Sequence, residues 1–395
     1  MKDMNKTSES KFLHLYKEYL SSKVFREYLS QDFSFFYNRN SSEFIRNLIT
    51  EVDWFNHYLV SVLRVGLEAI VLIGIFSLLA YVDFYFTTLI TITFLFISGL
   101  YFLLIREKLN VWGKQRLLST QKRIQFMQEG FDGIKIIKLL GREDFFFNKF
   151  KSHNFNLSQV GMKAFFFQGV PRLVFEFVGI FLLTLVLIIF YYSGKDLISI
   201  IQILSLYVAA SFRILPSINK IVSSLQLIKL SYPAMNVLYG ELKSFKQEPQ
   251  ISHEEFIFNK NIIVDIKKFK YPNSTFKISN IKLDITKGQK IGIIGSSGSG
   301  KTTVVEILSG ISERPEGNIM VDGKSIFSNI RGWQKLIGFV PQKIFILDES
   351  LRNNILFGLD SKKYQDEKIL SMIKKLSLEE LLKRLPNGLD GNLGE

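Results

Sequence analysis

The sequence contains no cysteine. That excludes disulfide bridges, thiolate metal cages and thiol nucleophiles, and it suits a chain whose exposed parts lie in a reducing compartment. Histidine is scarce as well: His14, His57, His153 and His253 are scattered without ligand spacing, so no metal cage is read from them. The polar opening "MKDMNKTSES" does not read as a secretory signal peptide.

What the sequence has in excess is apolar side chain. Hydrophobic residues make up 47% of the 395 positions, and the mean hydropathy is positive at +0.16, high for a soluble protein. The length leaves room for two or more domains. Residues 84–105 carry no charge and exceed the roughly 20 residues that a helix needs to cross a bilayer. Residues 69–82 are also uncharged, with only Asp83 between the two runs. A second pair, 177–194 and 197–212, is parted by Lys195 and Asp196. Each pair predicts a membrane hairpin with a very short turn, giving four spans at about 58–82, 84–105, 172–194 and 197–217.

Charge orients them. The segment between the hairpins is basic, with Arg106, Lys108, Lys114, Arg116, Lys122, Arg123, Lys135, Lys138 and Arg142, whereas the two turns carry almost no Lys or Arg. The positive-inside rule then puts that segment and both chain ends in the cytoplasm and the turns outside. The net charge of +14 needs no nucleic acid, because this bias and an anionic inner leaflet account for it. Four charges fall at or near membrane depth. Arg64 and Glu68 are one helical turn apart and could pair, while Glu176 and Arg213 sit near cytoplasmic ends of their spans. Two readings stay open for them: a polar cavity wall that meets a substrate head group, or helix ends with snorkelling side chains.

After the membrane segments comes "IGIIGSSGSGKTT", residues 291–303, which fits G-x-x-x-x-G-K-[ST]. The apolar run 291–294 predicts a strand that delivers the chain to a turn. There Gly295, Gly298 and Gly300, with Ser296, Ser297 and Ser299 between them, let backbone N–H groups approach phosphate. A following helix adds its positive end. Lys301 can reach the β and γ phosphates of ATP, Thr302 can hold Mg²⁺, and Thr303 completes the loop. The boundary between the halves falls in "ELKSFKQEPQISHEE", dividing a membrane domain (1–248) from a nucleotide-binding domain (249–395). Within the latter, "NIIVDIKKFKYP", "FKISNIKLDITKG" and "LIGFVPQ" read as strands, with turns at 272–274 and Gly288, and "GNIMVDGKSI" as a short hairpin. The sum is an α/β domain with some antiparallel strand.

Those pieces, in that order, resemble an ABC exporter half-transporter: an α-helical transmembrane domain fused to an α/β P-loop NTPase domain of ABC type, each partial. The resemblance puts Tyr271, in "FKYPNST", at the ring that stacks on adenine, and Gln342, in "LIGFVPQ", at the Q-loop glutamine that touches Mg²⁺. It identifies "DFSFFYNRNSSEFIRNLITEVDWF" and "GFDGIKIIKLLGREDFF" with the two intracellular loops whose coupling helices rest on ATPase domains. It implies a multi-pass protein of a bacterial inner membrane, paired with a second half-transporter, a homodimer being expected. It also implies ATP-driven export or flipping of an amphipathic or lipid-linked substrate. "FFYNRNSSEFI" and "GIKIIKLLGRE" are most similar to flippases for lipid-linked oligosaccharides, and peptide, drug and lipid A exporters share the architecture.

The family's Leu-Ser-Gly-Gly-Gln signature, aspartate strand with catalytic glutamate, D-loop and switch histidine are not found, and only "KFLHLYKEYLSSKVFREYLSQ" precedes the first coupling loop. The expectation is a fragment lacking both ends. "IFILDES" offers a competing pattern, with Asp348 as metal ligand and Glu349 as base, that would make the chain a membrane-anchored P-loop NTPase with a regulatory task. Its start two residues after Gln342 favours the stretch that follows the Q-loop in exporters.

Overall fold

A computed structural model of the chain describes residues 2–37, 39–192, 197–245, 256–271, 275–360 and 363–393. The expected turn at Lys195 and Asp196, the boundary at Pro249 and the turn at 272–274 lie outside the described residues. The chain divides into two compact units. One comprises Met1–Ile251, Lys268–Ser279 and Ile311–Pro315, the other Ser252–Lys267, Asn280–Gly310 and Glu316–Glu395.

The first unit is helical. After α1 (Lys2–Ser30) come two short helices, α2 (Phe33–Tyr37) and α3 (Ser41–Arg46), then one π-helical stretch, Asn47–Glu51, which runs into α4 (Val52–Val82). The Asn40 side chain starts α3 by accepting the Ser42 N–H at 2.9 Å. Three further long helices follow: α5 (Phe84–Asp132), α7 (Glu143–Tyr192) and α8 (Leu197–Ser244), with the short α6 (Ile134–Leu140) between α5 and α7. At 1.5 Å per residue α5 is roughly 70 Å long, so it runs well past a hydrocarbon core of about 30 Å. The helices are therefore longer than the four expected spans.

Among the described residues four helical stretches, Ser41–Val82, Phe84–Asp132, Glu143–Ile189 and Ile200–Ser244, are long and apolar enough to cross a membrane. Asp83 makes the first hairpin possible in one residue. Its backbone leaves the helical region, and its carboxylate caps α5 by accepting the Phe86 N–H at 3.1 Å. Leu72, Leu79, Phe94, Phe175, Tyr207 and Val222 belong to a core built from α4, α5, α7 and α8. Outside it, Ile70, Ile73, Leu95, Phe96, Phe177 and Ile180 are exposed. Such a surface suits lipid, where leaving an apolar side chain outside the core costs little.

Glu68 corrects one expectation. It is buried, but its partners are Lys220 (2.7 Å) and the Ser217 hydroxyl (2.6 Å) on α8, not Arg64. The reason is directional. Glu68 lies on the face of α4 that packs against α8, whereas Arg64 is exposed.

The second unit contains most of a four-stranded sheet of order β2-β1-β3-β4, from β1 (Asn261–Phe269), β2 (Ile278–Thr286), β3 (Glu316–Val321) and β4 (Lys324–Ser325). β3 and β4 form the expected hairpin, antiparallel, around Asp322 and Gly323, both with positive φ (47° and 84°). The predicted strands at 291–294 and 336–342 do not form: among the described residues neither stretch joins a ladder, and Ile294 and Val340 are 94% and 86% exposed. Strand propensity becomes a strand only against a neighbour, and the sheet's four strands come from elsewhere in the sequence. Helices α9 (Lys301–Leu308), α10 (Ile330–Gln334), α11 (Leu351–Leu356), α12 (Asp366–Lys375) and α13 (Glu379–Arg384) complete the unit. Leu351, Leu356, Ile369, Ile373 and Leu389 form a small core beside α11 and α12.

Candidate functional site

The phosphate loop has the backbone its sequence demands. Gly298 and Gly300 sit at φ +79° and +92°, where a side chain would be strained. A Cβ on Gly295 would lie 2.9 Å from the Ser299 Oγ. Ser296, Ser297 and Ser299 are exposed, as is Thr302 in the first turn of α9, with Thr303 half-buried beside it. Helix α9 is held from behind: Val304 and Ile307 are buried, Trp333 Nε1 donates to the Leu308 carbonyl (2.8 Å), and Gln334 Nε2 donates to the Gly310 carbonyl (2.9 Å). Gly310 closes the helix at φ +67°, with Ile330 so close that a Cβ there would meet it at 2.4 Å.

Lys301 folds back over the loop, donating from Nζ to the carbonyls of Gly295 (2.9 Å) and Ser296 (2.7 Å). The loop thus holds its cation over a glycine-lined, solvent-facing turn at the head of a helix. This donor set fits a nucleotide phosphate, whose oxygens would replace the two carbonyls as acceptors.

Other expected site residues fall elsewhere. Gln342 is exposed in a bend, with no ladder to either side. Tyr271 is 5% exposed and lies in the first unit, face to face with Tyr37 of α2 (centroids 4.4 Å apart, planes within 2°). Phe269 meets it edge-on at 4.9 Å, and its hydroxyl lies 3.2 Å from the Ser312 Oγ. A purine on that face of Tyr271 would have to displace Tyr37, a neighbour that no sequence pattern announces. Asp348 and Glu349 stand at the approach to α11. Ser350 caps that helix, and the Glu349 carboxylate accepts from Asn353 Nδ2 at 2.5 Å. No strand precedes them, so they lack the strand-end placement that a metal-binding aspartate and adjacent base require.

The membrane unit contains a second feature. Beside α7 and α8 lies a cavity of about 630 Å³ with Arg172, Glu176, Asn219 and Lys220 among its polar lining and Phe175 and Phe212 among its aromatic lining. Arg172 is paired with Glu176 at 2.8 Å, and the Asn219 Oδ1 is buried with no hydrogen-bond partner. Glu176 thus lies on this wall, while Arg213 is exposed and does not line it.

A membrane unit of four apolar helices joined to a phosphate-loop unit defines an integral, multi-pass membrane protein with a nucleotide-binding domain. Comparison with known proteins makes this specific. Residues 13–215, just over half of the chain, match the ABC transporter transmembrane region, and residues 278–393 match the ABC transporter family. The chain belongs to the ABC transporter family.

It is 20% identical over 381 residues to an ATP-dependent lipid A-core flippase of Ralstonia nicotianae, covering 95% of this chain and 64% of that protein. It is 25% identical over 408 residues to a putative export ATP-binding/permease protein of Rickettsia bellii, covering 98% and 68%. Over 119 residues it is 40% identical to the glutathione/L-cysteine transport system ATP-binding/permease protein CydC of Bacillus subtilis, 30% of this chain and 21% of that one. The fold superposes on a solved bacterial Atm1-family ABC exporter with ATP bound at a TM-score of 0.84 and 15% identity, covering all of this chain and 69% of that one.

Proposed function

We propose that the chain belongs to an ATP-driven half-transporter that exports or flips an amphipathic or lipid-linked substrate with a second, identical half as partner. The observation that carries this reading is the union in one chain of four membrane-length helices with a phosphate loop of the geometry above, each matching an ABC transporter family. Lys301 would meet the phosphates, Thr302 and Gln342 would face Mg²⁺, and Tyr271 would hold adenine. Bound there, the metal would supply charge neutralisation for the phosphates. ATP reaches this loop from the cytoplasm, the side that the basic segment between the hairpins assigns to both chain ends.

The cavity beside α7 and α8 is the cargo-facing candidate. Its mixed lining suits a molecule with a polar head and an apolar body: Arg172, Glu176 and Lys220 for the first, Phe175 and Phe212 for the second. A lipid A-type or oligosaccharide-linked lipid has that chemistry, as the flippase relatives suggest for their own cargo. The competing reading, a regulatory NTPase using Asp348 and Glu349, finds little support in a Glu349 whose carboxylate is tied to Asn353.

Native mass spectrometry from nanodiscs tests both sites at once. The chain should retain MgATP and a lipid A-type glycolipid. Lys301→Ala should lose only the nucleotide, and Arg172→Ala with Lys220→Ala only the glycolipid. Absence of MgATP binding removes the transporter reading; full glycolipid retention by the double variant removes the cavity from it.

A further inference from the structure

Helix α7 runs without interruption through Pro171. Proline has no N–H, so the carbonyl four residues earlier, that of Phe167, loses its intrahelical donor. Withdrawn from water, such a group costs free energy unless something else satisfies it. Here two other helices do so. Tyr101 of α5 donates its hydroxyl to the Phe167 carbonyl at 2.5 Å, and Gln226 of α8 donates Nε2 to the same oxygen at 3.1 Å and to the Tyr101 hydroxyl at 3.2 Å. A carbonyl has two lone pairs, and both are used.

The position of this triad gives it meaning. On its cytoplasmic side α5 and α8 touch backbone to backbone, since a Cβ on Gly113 would lie 2.6 Å from the Leu230 carbonyl and 3.1 Å from Pro233. Trp112 also packs on Phe167 there, with ring centroids 5.6 Å apart. Beyond Pro171 one side of α7 faces the cavity, with Arg172 and Glu176 on its wall, while Phe175 and Leu182 remain in the four-helix core. A fixed contact, a helix lacking one internal hydrogen bond, and an open volume thus follow one another along α7.

We infer that Tyr101 and Gln226 form a latch on the Phe167 carbonyl, and that its release lets α7 pivot at Pro171 and changes the width of the cavity beside α8. Engaged, the two donors tie α7 to α5 and α8 at the hinge. Released, the carbonyl needs a substitute donor, such as water entering from the cavity, so opening and wetting are linked. Tyr101 and Gln226 are positioning residues and touch neither nucleotide nor cargo. The latch stands on the geometry of the membrane unit and does not depend on what the cavity carries.

Pro171→Ala makes the test selective, because alanine restores the N–H that bonds the Phe167 carbonyl within α7. The chain has no native cysteine, so spin labels at Ile180→Cys on α7 and Ile201→Cys on α8, both exposed, report one distance by pulsed electron paramagnetic resonance in nanodiscs. With Tyr101→Phe and Gln226→Leu combined, a second, longer distance population should appear. In the Pro171→Ala background the same two substitutions should leave the distribution unchanged. An unaltered distribution in the first case, or an equal change in both backgrounds, overturns the latch. Thermal unfolding midpoints run alongside should fall for the double variant and recover with Pro171→Ala; a fall of equal size in both backgrounds would assign the two side chains to packing alone.

Discussion

Glu51 and Arg116 form a two-point ion pair with both members withdrawn from solvent. Arg116 Nη1 and Nη2 donate to the two Glu51 carboxylate oxygens at 3.1 and 2.7 Å, with side-chain exposures of 5% and 0% for Arg116 and Glu51. The guanidinium also lies over the Trp54 ring, 4.3 Å from its centroid. The pair joins the π-helical turn before α4 to the cytoplasmic part of α5. Breaking a buried pair from one side leaves an uncompensated charge, at a cost of about 3–5 kcal/mol, whereas replacing both members by apolar groups is often neutral. Arg116→Met should therefore lower the unfolding midpoint in detergent sharply, and adding Glu51→Leu should restore most of it. A single variant as stable as the double would show that solvent reaches the carboxylate.

Tyr37 and Tyr271 stack face to face, 4.4 Å between ring centroids, which sets opposite expectations for the two rings. If adenine stacks on Tyr271, Tyr271→Ala should weaken MgATP binding by about 1–3 kcal/mol, the range for base–aromatic stacking. Tyr271→Phe keeps the ring and loses the hydroxyl contact with Ser312, so its affinity should stay near that of the parent. Tyr37 covers the platform, and Tyr37→Ala should leave affinity unchanged or raise it. Fluorescent nucleotide titration separates these outcomes, and equal affinity in the parent and Tyr271→Ala moves the aromatic role elsewhere.

The β3–β4 turn should be acid-sensitive. Asp322 accepts the backbone N–H groups of Asn259, Lys260 (2.8 Å) and Asn261 (2.9 Å), and the first of these does most to hold its carboxyl below the usual aspartate range. A carboxylate with a depressed folded pKa contributes stability that is present in full above the unfolded value, near 3.9, and is lost as pH falls through the folded value. Arg352 depresses Asp366 and Asp390 in the same sense. Amide protection at 259–261, taken relative to the intrinsic exchange rate, should fall as pH drops below about 4, and Asp322→Asn should abolish that dependence; a slope that survives in Asp322→Asn would assign it to other carboxylates.

The parts of the molecule that repeat locally were legible in advance. Helical hydropathy runs, the one-residue hairpin at Asp83 and the glycine loop ending in Lys301 all depend on neighbours within a few positions, so spacing encodes them. Where a feature needs a distant partner, reading failed. Residues 291–294 and 336–342 have strand composition yet no ladder, because pairing is decided by what lies alongside. Sequence spacing offers Glu68 a possible partner in Arg64, whereas the face of α4 gives it Lys220. Tyr37 gave no signal at all. Pro171 stands just before the predicted span at 172 and is legible only in the fold, where Tyr101 and Gln226 donate to the Phe167 carbonyl.

These 395 residues should bind MgATP and not turn it over. Lys301 Nζ donates to two loop carbonyls that phosphate oxygens would replace, so nucleotide binding should depend on it, and Lys301→Ala should lose photolabelling by an azido-ATP analogue while the membrane helices keep their unfolding midpoint. Hydrolysis asks for more: a group that orients and deprotonates water, and donors placed where charge develops. Among the described residues Glu349 is the acidic candidate the sequence offered, and its carboxylate is engaged by Asn353 at the start of α11. Binding without those groups stabilises the ground state and leaves the barrier high. Phosphate release from the nanodisc-embedded chain should therefore match that of Lys301→Ala. Steady release above that control, abolished by Glu349→Gln, would make Glu349 the base and return the chain to the class of self-sufficient P-loop NTPases.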